Sequence, residues 1–296
     1  MNLDAQTIRK YFDGVSEKEL RRFQDFLATH PLKHTDFKGK PISYICCGKG
    51  EKTMLTFSGG HSGPWAIYSS VLGFEEEFRI VVVDFSSCDN LDDFCLCVNH
   101  VLGLEGIDRV CVTGQSLTGM FAQAYFRRNM ARVEALVLTN TPAPKKDRNK
   151  KAALAIFRIF PFFLLKPLLK RSLVRLGKID AIISPEIEDR LRFRMALLRH
   201  DMDREASKKT LLDLIRMLFE FNEKDAAPTE NFDRWPGKVL IVTSDDEPYR
   251  EDVKLLLAIY PNAELYSFPA GGRHAAPLIN MEKFQGLIRD FFLNKK

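Results

Sequence analysis

A chain of 296 residues with 45% hydrophobic and 28% charged side chains can bury a sizeable core, and its composition is neither that of a disordered chain nor of a fibrous one. A net charge of +5 is too small at this length to argue for nucleic-acid binding, so basic residues carry meaning only where they cluster, at 145–151. Residues 1–9 hold no basic flank with an apolar run and no small-residue cleavage site, so no secretion signal is read and cytoplasmic residence is expected.

Ser16 and Glu19 have the spacing of a capping box and predict a helix running to about His30, with Pro31 after its end. Short β-rich runs follow at 42–46, 54–58, 79–84, 109–113, 135–138, 239–243 and 263–267, several of them almost purely apolar. Helical patterns at 91–104, 121–129 and 252–259 separate them. Apolar strands alternating with helices need a sheet covered on both faces, so the predicted fold class is α/β, a doubly wound and mostly parallel sheet. From 141 to 235 the strand signal stops and helical segments take over, at 154–169, 186–200 and 208–222. This divides the chain into a core domain, 1–140 and 236–296, and a helical cap, 141–235, expected over the carboxyl ends of the strands where open α/β sheets place ligands.

The six cysteines, at 46, 47, 88, 95, 97 and 111, lie mostly inside apolar runs. They make no C-x-x-C pair and have no paired histidines beside them, so they read as buried free thiols, and no metal or organic cofactor is expected.

Three segments carry chemistry. The first, Val110 to Gln123, reads as a strand, a tight turn and a helix with Ser116 at the turn. A serine there presents its hydroxyl above the sheet, and the amide of Leu117 at the helix start can stabilise an oxyanion. The second, Thr56 to Pro64, is a glycine-rich loop after an apolar strand, in which Gly60 is the candidate for the other oxyanion amide. The third, Pro269 to Pro277, holds His274, the candidate base, after a strand that ends in Ser244-Asp245-Asp246-Glu247-Pro248. Counting along the strand favours Glu247 as the acid. The chain length to the histidine and the shorter side chain favour Asp246, which is preferred.

Serine, acid and histidine stand in the order of the α/β-hydrolases. Over most of the chain from about Lys40 to Phe292 these motifs resemble that superfamily, with one departure: in the usual G-x-S-x-G elbow the last small residue is here Thr118, and glycine waits until Gly119. Within the superfamily, the stretches 90–95, 114–123, 132–140 and 260–263 look like maspardin-like members. The superfamily resemblance implies a serine hydrolase of esters or thioesters with the triad Ser116, His274 and Asp246. The maspardin likeness implies a non-catalytic binding or adaptor protein on the same fold. An apolar, aromatic stretch beside the basic run suggests a lipophilic acyl group and makes 145–170 a candidate for peripheral membrane contact.

Overall fold

The computed structural model describes residues 3–59, 62–145, 150–226 and 232–293. In chain order the elements are α1 (Ala5–Tyr11), α2 (Glu17–Thr29), β1 (Lys33–Phe37), β2 (Lys40–Cys47), β3 (Thr53–Ser58), α3 (Tyr68–Phe74), β4 (Arg79–Asp84), α4 (Leu91–Leu104), β5 (Val110–Gln115), α5 (Leu117–Arg128) and β6 (Val133–Thr139). Four helices follow: α6 (Lys150–Ile159), α7 (Phe162–Leu176), α8 (Pro185–Arg204) and α9 (Lys208–Lys224). The chain then returns with β7 (Lys238–Ser244), α10 (Arg250–Ile259), β8 (Glu264–Phe268), α11 (Ala276–Ile279) and α12 (Met281–Leu293).

The eight strands form one sheet in the order β1-β2-β4-β3-β5-β6-β7-β8. Pairings from β4 through β8 are parallel, and those of β2 with β1 and β4 are antiparallel. Successive side chains of a strand point to opposite faces, so Val81 and Val83 of β4 join one apolar cluster, with Phe57, Phe94 and Phe121, while Ile80 and Val82 join the other, with Tyr68 and Phe193. Both faces are therefore covered, which is why the central strands read as continuous apolar runs.

Several elements depart from the expected pattern. The edge strand β1 is polar and largely exposed, and it is held by a two-residue turn in which Lys38 and Gly39 both take positive φ, 54° and 76°. Apolar periodicity has no purchase on such a strand. The helix expected at 154–169 breaks at Pro161, whose missing N–H separates α6 from α7. Only half of the capping box forms at α2: the Ser16 hydroxyl accepts from the Glu19 amide, but the Glu19 carboxylate accepts from the Tyr68 hydroxyl instead. All six cysteines are free. No helix among the described residues is long and apolar enough to cross a membrane.

Candidate active site

Ser116 lies between β5 and α5 with φ 54° and ψ −121°, a conformation that costs a non-glycine residue about 1–3 kcal/mol and persists only when its surroundings hold it. Three contacts hold it here. Gly114 must be glycine, because a Cβ there would lie 2.4 Å from the Thr118 carbonyl oxygen. The Thr118 hydroxyl closes the turn on itself, accepting from the Gln115 amide and donating to the Gln115 carbonyl, both at 2.9 Å. The Ser116 carbonyl accepts from the Thr141 hydroxyl at 2.8 Å.

Thr118, the departure from the usual elbow, thus serves as a brace. The close approach normally given to the residue two after the serine is shifted to Gly119, where a Cβ would meet Thr141 Oγ1 at 2.4 Å. Leu117 is the first residue of α5, so its amide has no acceptor one turn back in the helix and sits at the positive end of the helix dipole. Gly60, the other expected oxyanion amide, lies outside the described residues.

The segment after β8 carries His274. Its Nδ1 is 2.8 Å from Oε1 of Glu247, a carboxylate only 5% exposed, while Tyr249 packs edge-on against the imidazole with ring centres 5.8 Å apart. Asp246, the acid preferred from the sequence, is committed elsewhere. Its two oxygens accept from the amides of Gly271, at 2.6 Å, and Arg273, at 3.0 Å. Adjacent residues of the turn after β7 point in different directions, so Asp246 ties the loop's backbone while Glu247 turns inward to the ring. Burial works against ionisation of Asp246, but hydrogen bonds from the two amides, together with Ser244, hold its carboxyl below the ordinary range. Asp245 is exposed and pairs with Arg250 at 3.3 Å.

Sequence patterning does not single out Asn140 and Thr141, the residues just after β6. Thr141 holds the Ser116 carbonyl, and Asn140 Nδ2 donates to the His274 carbonyl at 3.1 Å. Two consecutive residues therefore tether the elbow and the histidine segment to one strand end. Asn140 takes φ 44°, a value asparagine tolerates better than most residues. Among the described residues the hydrogen bonds of His274 run to Glu247 and Asn140, and none joins it to Ser116 Oγ.

A different group of potential ligands, His30, Cys47 and Glu75, brings its donor atoms within 4.8 Å of one another. Cys47 pairs with Ile80 near the amino end of β4, so this group sits at the opposite end of the sheet from Ser116. His30 Nε2 and Glu75 Oε2 are 2.6 Å apart, a direct hydrogen bond that accounts for their closeness. Burial pushes the Cys47 thiol up to about 12, against metal binding through its thiolate.

Comparison with known proteins agrees with this architecture. A family model described as the alpha/beta hydrolase family matches residues 54–284. No curated protein matches the chain, so the maspardin likeness finds no support there. Among solved structures, the chain resembles an enol-lactonase from Burkholderia xenovorans, with 14% identity, a TM-score of 0.68, and 88% of this chain and 100% of that one covered. A bromoperoxidase from Bacillus anthracis gives 18%, 0.65, 89% and 100%, and a carboxylesterase from Bacillus subtilis gives 14%, 0.61, 94% and 98%. At these identities the likeness is one of fold.

Proposed function

The chain belongs to the alpha/beta hydrolase family and is an enzyme of hydrolase type, and on that premise we propose that it cleaves a carboxylic ester or thioester through Ser116, His274 and Glu247. The observation that carries this reading is the buried Glu247 carboxylate bonded to His274 Nδ1, in a segment tethered through residues 140 and 141 to a serine at an elbow with positive φ. With Nδ1 bound to the carboxylate, Nε2 is the nitrogen left to take the Ser116 proton. The serine then attacks the carbonyl carbon, and the Leu117 amide stabilises the oxyanion, joined by the Gly60 amide in this reading. Each such donor contributes about 2.7–4 kcal/mol to lowering the barrier. Protonated His274 gives its proton to the leaving alcohol or thiol, and water releases the acyl group by the same steps in reverse order. Hydrogen bonds of this kind tighten when substrate binds, which is where the Ser116 to His274 bond is placed.

The insertion between β6 and β7, 141–235, is read as a lid. Residues 145–178 hold eleven lysines and arginines and one acid, a net +10, which leaves the rest of the chain at −5. On α6 and α7 this basic segment exposes Ile156, Ile159, Phe163, Leu164 and Leu168, with Ile159 77% and Phe163 71% accessible. An apolar strip flanked by cations suits an anionic lipid surface and a lipophilic acyl group.

A fluorophosphonate probe is the test. Labelling of Ser116 that disappears in His274→Ala is expected, and a folded protein that takes no label overturns the assignment of Ser116 as the nucleophile.

A further inference from the structure

A cavity of about 60 Å³ lies beside the elbow, lined by Gln115, Tyr68, Ser69, Arg190, Arg194 and Leu278 among others. Gln115 immediately precedes Ser116 and Leu278 follows His274 by four residues, although Ser116 and His274 themselves do not line the cavity. A single water needs about 10–15 Å³ measured in this way, so the space suits a small polar group and is too small for an alkyl chain.

Its charge is not balanced. Arg190 and Arg194 are one turn apart on α8, and both side chains line the cavity. Arg190 spends one nitrogen on Glu186 at 2.9 Å, while its Nε is buried without an acceptor among the described residues. Arg194 has no carboxylate within ion-pair distance among those residues. Burial of its guanidinium pushes its pKa down and the Tyr68 hydroxyl offsets this only in part, while the residue as a whole stays exposed to solvent. Glu19 also borders the cavity, but its carboxylate accepts from the Tyr68 hydroxyl on one oxygen and faces Arg22 at 3.9 Å on the other. A guanidinium keeps its proton at any working pH, and an anion entering the cavity would give the Arg190 Nε–H and Arg194 a negatively charged acceptor.

We infer that Arg194, assisted by Arg190, binds an anionic group of the substrate, a carboxylate, and so selects acidic esters. The inference rests on the hydrolase reading above and names the substrate class for it. A planar guanidinium matches a carboxylate in two parallel hydrogen bonds, and the Arg190 Nε–H offers a third donor one helical turn away. Recognition of the charged end would fix the ester relative to Ser116 before the lid residues contribute.

Two 4-nitrophenyl esters test it, the neutral butyrate and the singly charged glutarate monoester. The wild type is expected to prefer the glutarate ester. In Arg194→Gln the glutarate-to-butyrate ratio of kcat/KM falls about tenfold or more, mainly through KM, and Arg194→Lys keeps part of the preference. An unchanged ratio in both variants overturns the inference and leaves the hydrolase reading standing. If the wild type cleaves neither ester, the ester-cleavage reading fails separately, and calorimetric titration with glutarate decides the anion site. Saturable binding that is lost in Arg194→Gln supports it, and no binding by the wild type overturns it.

Discussion

Two phenylalanines show how differently the sheet and the inserted helices use the same side chain. Phe121, on α5 just past the elbow, is 1% exposed, stacks on Phe85 at 3.9 Å between ring centres and meets Phe94 edge-on at 5.0 Å. Phe163, on α7, is 71% exposed. Over the sheet an apolar helix face is covered because the strands beneath it need covering in turn. On the insertion an equally apolar stretch finds less to cover it, and Arg158, Arg171 and Arg175 are exposed beside it while Lys166 and Lys170 pair with Asp203. Hydrophobicity thus supports the fold in one region and leaves a sticky surface in the other.

The sharpest test of the sheet side concerns its two neighbouring acids. Glu247→Gln is expected to lower kcat by about 10³–10⁴-fold, because the imidazole loses the charge that orients it and stabilises its protonated form. Asp246→Asn should change kcat only a few-fold in the same steady-state assay. Its effect belongs to stability: the Asp246 pKa is depressed in the folded protein, so its contribution is present above the ordinary carboxylate range and disappears as pH falls through the folded value. An equal loss of turnover in both variants would show that the acid's role is shared.

Next in size is the comparison of the rings themselves. Phe121→Ala should cost about 3–5 kcal/mol in denaturant unfolding, from lost burial and a cavity the neighbouring rings cannot fill, while Phe163→Ala should stay within about 0.5 kcal/mol. A comparable cost at Phe163 would mean that α7 is packed in solution after all.

The smallest effect lies at the rim of the sheet. Burial pushes the Asp84 carboxyl up to about 6, although its Oδ1 accepts from the Ser86 amide at 2.8 Å. A raised carboxyl pKa means that the protonated form is favoured by folding, so this contribution is full at acid pH and is lost as pH rises through about 6. Asp84→Asn is therefore expected to raise stability at pH 8 by at most about 3 kcal/mol and to match the wild type near pH 4, read from melting temperatures at the two values. A gain that persists at pH 4 would assign the effect to something other than charge.

Much of the fold is legible in residue order. The apolar runs of β3, β4, β5 and β7 announce a sheet buried on both sides, and Gly114, Ser116 and Gly119 announce a sharp turn between strand and helix, because local sterics leave few other conformations for such sequences. The polar hairpin of β1 with β2 was hidden, since its stability comes from a turn and an edge rather than from burial. Which acid meets His274 was also beyond local rules. Asp246 and Glu247 are chemically equivalent to the chain until the return of β8 brings the histidine segment over them, and the direction of each side chain at the end of β7 then decides. The same holds for Asn140, Thr141, Arg190 and Arg194, whose partners or lack of them arise from segments far apart in sequence, where only packing sets which donors and acceptors meet.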